Sequence, residues 1–221
     1  MFQFSEITPW GKNLQESKAI FGLTDEDMDK KMAGFADGAS SLNCELTRMG
    51  KSIISLDPVY GLSKEYLQAC FNQVMEQSSQ FIRKSATGQK AQLKSIERIR
   101  KRTVSLFLED YEVGKEEGRY RQYSLPGATG FADLSFELGL CSNFILLYEE
   151  LGIDFHLAAV AEMLRVCREI RIFPVVNFAG HHSAMLPPLI GYFQHAFEIE
   201  FVAVYCEPGP HEYSMLRMSR H

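Results

Sequence analysis

A run of small residues and a carboxylate that follows one strand later are the features of this sequence best suited to binding a ligand. Residues 38–41 read Gly-Ala-Ser-Ser after a short apolar run, and Asp57 ends the next apolar run. Small residues let a ligand approach the backbone, where N–H groups at a helix start can meet its polar groups. A carboxylate such as Asp57 can accept both hydroxyls of a ribose. The structural alternatives are a tight turn for the first feature and a turn cap for the second.

Two predicted strands position these features. Residues 31–36 and 53–56 are buried apolar runs, and Leu42, Leu46 and Met49 repeat at helical spacing between them. A strand, a tight turn, a helix and a strand in so short a segment require parallel pairing. The carboxyl ends of both strands therefore meet at one edge of the sheet, which is where ligands bind in open α/β sheets.

The rest of the chain continues the alternation of strands and helices. Further strands are predicted at 120–123, 136–141 and 169–175, and helices at 154–167 and 183–195. Two last strands, 199–206 and 213–218, flank a Glu-Pro-Gly-Pro turn and form an antiparallel hairpin. The sequence thus predicts an α/β fold with three layers and a mostly parallel seven-stranded sheet that ends in an antiparallel hairpin.

A long polar, helical stretch separates the second and third predicted strands. Ser63 caps a predicted helix that runs to about residue 84, and a second helix runs from about 89 to 107. We interpret the chain as a single domain over 1–221 with a helical insertion at about 62–107. The second helix carries basic residues at four-residue spacing, which indicates either a solvated face or a contact for an acidic partner or nucleic acid. They are Lys90, Lys94, Arg98 and Arg102.

Composition narrows the classes of function. The 221 residues carry a formal net charge of −5, whereas a protein that binds nucleic acid over its whole surface would usually be basic. The five cysteines include no CxxC pair, which indicates buried thiols in a reducing compartment. Neither a signal peptide nor a membrane span is evident, so we predict a cytoplasmic protein without a membrane partner. The adjacent His181 and His182 are interpreted as an exposed loop, and no metal site is predicted.

Three runs of sequence carry a resemblance to a known family. They are residues 32–42 (Met-Ala-Gly-Phe-Ala-Asp-Gly-Ala-Ser-Ser-Leu), residues 53–60 (Ile-Ile-Ser-Leu-Asp-Pro-Val-Tyr), and Leu125-Pro126 followed by residues 131–144. Together they resemble the core of class I (Rossmann-like) S-adenosylmethionine-dependent methyltransferases, in particular a group of small bacterial proteins. The likeness spans about residues 23–218. It implies S-adenosylmethionine as the cofactor and methyl transfer as the reaction.

The resemblance also implies roles for individual residues. The turn at 36–40 would lie against the methionine part of the cofactor, Asp57 would hold the ribose, and Pro58 and Leu125 would lie near the adenine. Cys141 and Ser142 would line the pocket where the methyl group is presented. The predicted cofactor-binding residues are Gly34, Phe35, Ala36, Asp37, Gly38, Ser40, Ser41, Asp57, Pro58, Leu125, Cys141 and Ser142.

The sequence departs from the family pattern within the turn. The family usually has an acid at the place of Gly34 and glycines where Ala36 and Ser40 stand, whereas here Asp37 follows three residues after Gly34. Weaker cofactor binding, a replacement contact from Asp37 and a lost activity are three consequences that the sequence leaves open.

These observations lead to three hypotheses about the function. The first is a methyltransferase that acts on a small-molecule acceptor. The second is a methyltransferase-like domain that serves as a binding or partner module, and the third is a nucleic-acid methyltransferase. No catalytic acid or base is assigned, because the methyl group of a sulfonium is already activated and its transfer depends chiefly on alignment.

Overall fold

A seven-stranded sheet forms the centre of the protein. The computed structural model describes residues 11–84, 87–205 and 212–220. The strands are β1 (Met32–Phe35), β2 (Ile53–Asp57), β3 (Tyr120–Gln122), β4 (Phe136–Ser142), β5 (Cys167–Phe173), β6 (Phe197–Tyr205) and β7 (Glu212–Arg220). Their order in the sheet is β3-β2-β1-β4-β5-β7-β6. Neighbours from β3 to β5 pair in parallel, and β7 is antiparallel to both β5 and β6.

Seven helices accompany the strands within the described residues. They are α1 (Leu14–Phe21), α2 (Asp25–Asp29), α3 (Leu42–Arg48), α4 (Lys64–Lys84), α5 (Thr87–Glu116), α6 (Gly152–Val166) and α7 (Leu186–Phe193). One buried cluster joins α6 and α7 to the sheet, and a second joins α1, α2 and α3 to it. The predicted three-layer α/β architecture is therefore confirmed, including the parallel pairing of β1 with β2 and the final antiparallel hairpin.

The segment between β2 and β3, interpreted above as a helical insertion, forms a hairpin of α4 and α5, and both helices share an apolar cluster with Val59, Tyr60 and Tyr120. Ser63 caps α4 as predicted, since its hydroxyl accepts a hydrogen bond from the Tyr66 N–H at 3.2 Å. The predicted end of the second helix near Phe107 was wrong, because α5 continues to Glu116. Leu108 and Tyr111 extend the buried stripe of α5 by another turn, and Asp110 forms an ion pair with Arg119.

Two other elements differ from the sequence prediction. Helix α1 was not predicted, although Asn13 and Glu16 form a capping box at its start. Helix α7 is shorter than the predicted 183–195, because residues 183–185 form a turn before Leu186. Trp10 and the predicted turn at 207–210 lie outside the described residues. In the part of the chain that the structure describes, no helix combines the length and the apolar character needed to cross a membrane.

Candidate cofactor site

The carboxyl ends of β1 and β2 meet at one edge of the sheet, next to the end of β4. Phe35 is in register with Leu56 on β2 and with Cys141 on β4. The chain runs outward from β1 through β2 to β3 and then returns to the other side of β1 as β4. This reversal creates a crevice above β1, which is the usual ligand site of a parallel α/β sheet. The turn at 36–41 lies at this crevice.

The turn has two residues in the left-handed conformation. Ala36 has φ 54° and Gly38 has φ 57°. A left-handed alanine costs about 1–2 kcal/mol more than an ordinary conformation, whereas glycine adopts it freely. The chain thus reverses sharply after β1. Gly38 is fixed on both sides, because its N–H donates to Asp57 Oδ2 at 2.8 Å and its carbonyl accepts from the Tyr60 hydroxyl at 2.8 Å.

Asp57 fastens the end of β2 to this turn. Its second oxygen, Oδ1, accepts the Val59 N–H at 2.8 Å and so caps the short 3-10 helix over Pro58–Gly61. The residue is 7% exposed, and burial raises the pKa of its carboxyl to about 6 although both backbone hydrogen bonds favour the ionised form. A carboxylate offers about four acceptor positions, of which these bonds take two. Asp57 is therefore a turn cap, which was the structural alternative for this residue. Its remaining lone pairs can still accept hydrogen bonds from a ligand.

The carboxyl group of Asp37 lies directly over Gly34. A Cβ atom placed on Gly34 would be 1.9 Å from Asp37 Oδ2, so a side chain at position 34 and the present conformation of Asp37 exclude each other. Asp37 Oδ2 accepts a hydrogen bond from the Ser55 hydroxyl at 2.7 Å. Burial raises the pKa of Asp37 to about 6, and the nearby Asp57 charge adds to the rise against the Ser55 hydrogen bond. The turn thus has an acid over β1, supplied from three residues further along the chain.

The hydroxyls of the turn face the protein. Ser40 Oγ donates to the Lys12 carbonyl at 2.7 Å and accepts the Leu42 N–H at 3.2 Å, while Ser41 Oγ donates to Glu45 Oε1 at 2.5 Å. In the described part of the chain, by contrast, the backbone N–H groups of Asp37 and Ala39 have no hydrogen-bond partner. The backbone N–H groups of Asp37 and Ala39, unlike the serine hydroxyls, are therefore unpaired donors of the turn among the described residues.

The other predicted site residues divide into two groups. Phe35 and Cys141 are fully buried, and burial raises the pKa of the Cys141 thiol to about 12. The Cys141 side chain therefore belongs to the core beneath the edge and is not exposed at the surface of a pocket. Pro58, Leu125 and Ser142 are partly exposed. The structure thus brings the predicted residues of β1, β2 and β4 together at one edge, with Ser142 at the end of β4.

Comparison with known proteins gives a relative in sequence. The uncharacterized protein MJ0045 of Methanocaldococcus jannaschii is 30% identical over 190 residues, which cover 81% of this chain and 83% of that protein. The chain belongs to the MJ0045 family. No family model matches the chain.

Solved structures add similarities of the fold to this MJ0045-family chain. A S-adenosylmethionine-dependent methyltransferase from Methanosarcina mazei has a TM-score of 0.45 at 10% identity, over 87% of this chain and 92% of that one. The Burkholderia thailandensis 1,6-didemethyltoxoflavin-N1-methyltransferase has a TM-score of 0.45 at 11% identity, over 86% and 71%. The bifunctional kinase-methyltransferase WbdD has a TM-score of 0.47 at 10% identity, and this chain spans only 35% of its length. Similarities this distant assign no activity. The support for the class I methyltransferase fold expected from the sequence is the strand order of the sheet.

A segment before α1 packs against the turn in this MJ0045-family protein. The Lys12 carbonyl accepts the Ser41 N–H at 3.1 Å, and Arg100 on α5 donates to the Gly11 carbonyl at 3.0 Å. Arg100 also forms a partly buried ion pair with Glu16. The Asn13-x-x-Glu16 capping box was the available signal for α1, but nothing local indicates that the segment would contact residues 39–41.

Other polar candidates have structural roles. Tyr60 and Tyr111 are buried in an aromatic cluster with Phe107 and Tyr120, so both pack in the core. His181 and His182 are exposed, as predicted. Within the described ranges, no group of three or more potential ligands could hold a metal ion. A groove of about 620 Å³ lies between α7 and β6, and His182 is the one ionisable residue in its lining. This groove has no pair of acids, unlike the turn.

Proposed function

We propose that the protein is a S-adenosylmethionine-dependent methyltransferase that binds its cofactor over the turn at 36–41 and acts on a small-molecule acceptor. The observation that carries the proposal is the pair of acids at the crevice, where Asp57 is bonded to Gly38 and Asp37 lies over Gly34. A cofactor with a ribose at one end and an ammonium group at the other requires hydrogen-bond acceptors at two separate places. The two carboxyl groups meet that requirement.

The residues of the site fit such a cofactor by their chemistry. Asp57 would accept the ribose hydroxyls through the lone pairs that Gly38 and Val59 leave free. Asp37, once ionised, would accept the ammonium, which makes it the replacement for the acid that the family usually has at position 34. The unpaired N–H groups of Asp37 and Ala39 would bind the carboxylate of the cofactor's methionine part. When bound, the cofactor supplies a sulfonium methyl group.

The chain's own contribution to methyl transfer would be alignment and exclusion of water. Pro58 and Leu125 are partly exposed apolar residues beside the crevice and would flank the adenine. Ser142 ends β4 next to the turn and would face the reacting end of the cofactor. No general acid is required, because the thioether leaves as a neutral group and the electrophile is already charged.

The ribose contact can be tested with a ligand change and a residue change together. S-adenosylhomocysteine and its 2′-deoxy analogue are titrated calorimetrically into the wild type and into Asp57→Asn. We expect removal of the 2′-hydroxyl to weaken binding about tenfold in the wild type and much less in the variant, because both changes delete the same contact. Equal losses in both proteins would contradict the assignment of Asp57. Circular dichroism verifies that the variant is folded, and Ser52→Ala, which alters an exposed residue before β2, is the control.

A further inference from the structure

Four aromatic side chains form a continuous group at the carboxyl ends of β4 and β5. Phe144 follows β4, and its ring centroid lies 5.6 Å from Tyr148 and 5.9 Å from Phe155. Tyr148 in turn lies 4.9 Å from Phe178, in the loop after β5, with their rings nearly perpendicular at 89°. Because β4 is the neighbour of β1, this edge aromatic group lies on the side of the candidate cofactor turn where β4 ends.

The outermost ring of the edge aromatic group is not part of the core. Phe178 is 67% exposed, whereas Ile145 and Leu146 beneath the loop are almost completely buried and belong to the main apolar cluster. A large apolar ring in water forgoes the free energy that its burial would contribute. An exposed aromatic ring that contacts a group of rings at this edge is therefore suited to covering a ligand.

The loop that carries Phe178 is held in place by hydrogen bonds. Glu149 accepts the Ala184 N–H at 2.6 Å and the Asn177 side-chain amide at 3.1 Å, which joins the loops that follow β4 and β5. Asn177 Oδ1 in turn accepts the Ala179 N–H at 3.0 Å. These contacts fix both ends of the segment around Phe178, so the ring would not have to be ordered when a ligand binds.

The charges of these segments indicate what kind of ring would bind. No lysine or arginine occurs from residue 143 to 164 or from 172 to 194, while Glu149, Glu150 and Asp154 are acidic. Polyanions gain affinity from basic side chains, which these segments lack. Aromatic faces and carboxylates both attract positive charge.

We propose that the edge aromatic group binds the acceptor through a planar heteroaromatic ring that is neutral or positively charged. The ring would lie against Phe178 and Tyr148, beside the end of β4. This inference rests on the proposed function for its link to methyl transfer, but the ring site itself can be measured separately.

The test uses three probes of similar ring area and different charge: quinoline, N-methylquinolinium and 2-naphthalenesulfonate. Each is titrated by NMR into wild-type protein in the presence and absence of S-adenosylhomocysteine. We expect N-methylquinolinium and quinoline to bind at least tenfold more tightly than the sulfonate. Phe178→Ala should weaken binding of N-methylquinolinium about fivefold, because it removes one ring face.

Tyr192→Ala is a matched control. Tyr192 is 65% exposed and lies 4.9 Å edge-on from Phe193, so its surroundings are comparable, but it belongs to α7. It should leave binding of all three probes unchanged. Equal losses in both variants, or tightest binding of the sulfonate, would overturn the proposal. Oligoadenylate that binds far more tightly than adenosine, with strong salt dependence, would overturn it in favour of nucleic acid.

The two proposals fail in different ways. If S-adenosylhomocysteine binds and no ring probe does, the ring site falls and the proposed function is unaffected. If the ring probes bind with the expected order and S-adenosylhomocysteine does not, the ring site is supported and the cofactor assignment falls.

Discussion

Asp37 connects the chemistry of the turn to the pH dependence of the protein. Its carboxyl has a pKa of about 6 in the folded state against an ordinary value of 3.8, chiefly because it is buried. A carboxyl group with a raised pKa stabilises the fold at a pH below the pKa that it has in the unfolded chain. This contribution is lost as the pH rises through the folded-state pKa of about 6. The protein therefore carries a stability cost at neutral pH at the same place where an ionised acid would meet an ammonium.

Replacing Asp37 by asparagine should reduce this cost. An amide keeps the acceptor for the Ser55 hydroxyl and cannot ionise, so we expect the free energy of unfolding at pH 7.5 to rise by about 1–3 kcal/mol. Urea unfolding of both proteins at pH 4.5 and pH 7.5 measures the difference. The part of the pH dependence that Asp57 causes should remain. A variant with the same pH dependence as the wild type would show that Asp37 is not buried as an acid over Gly34.

Ala36 and Gly38 allow a direct test of the turn geometry. Ala36→Gly should raise the free energy of unfolding by about 0.5–1 kcal/mol, because relief of the left-handed conformation exceeds the added entropy of the unfolded chain. Gly38→Ala should lower it by about 1 kcal/mol through its backbone conformation alone, since a Cβ there would meet open space. Chemical denaturation of the two variants measures both effects, and the same sign for both would contradict the described turn.

At the scale of elements, a buried ion network joins α2 to the sheet. Arg171 on β5 donates to both oxygens of Asp27 at 2.9 and 3.1 Å and to Glu169 at 2.6 Å. Burial alone would raise the pKa of Asp27, but the hydrogen bonds from Arg171, Lys30 and the Thr24 N–H hold it well below its usual range.

Arg171→Met should destabilise the protein by about 3–5 kcal/mol, because it leaves Asp27 and Glu169 buried without their shared partner. Lys18→Met removes the exposed pair with Asp25 and should cost at most about 1 kcal/mol. Thermal or urea unfolding compares the two. Losses of similar size would show that the Arg171 network is screened as strongly as a surface ion pair.

The elements were predictable to the extent that local patterns determine them. The apolar runs of β1, β2 and β4 gave correct strands, and the hydroxyl cap at Ser63 gave a correct helix start. The end of α5 was placed too early at residue 107, because the helix continues to Glu116 and Asp110 pairs with Arg119 from within it. The contact of Arg100 with Glu16 could not be predicted, since the two residues are 84 positions apart and only the fold brings them together.

The site was predictable in its members but less so in its geometry. The small residues and Asp57 were recognisable because a strand end, a turn and a carboxylate have a fixed relation in a parallel sheet. The position of Asp37 over Gly34 depends on the left-handed conformation of Ala36, which an alanine in a sequence does not indicate. The burial of the Cys141 side chain depends on the alternation of β4 against a core that only the assembled sheet defines.

For the whole molecule, the central claim is that the crevice above β1 binds S-adenosylmethionine. Membership of the MJ0045 family does not decide this, because that relative has no assigned activity. The strand order places β1 between β2 and β4, so that two acids and a partly exposed serine meet at one edge. The link between the edge aromatic group and methyl transfer depends on a ligand at this place.

Calorimetric titration of S-adenosylhomocysteine into the wild-type protein at pH 7.5 tests the claim most directly. The account predicts one site per chain with a Kd on the order of micromolar. The affinity should fall as the pH is lowered below about 6, where Asp37 becomes protonated. A folded sample that shows no binding heat at millimolar ligand would contradict the cofactor assignment.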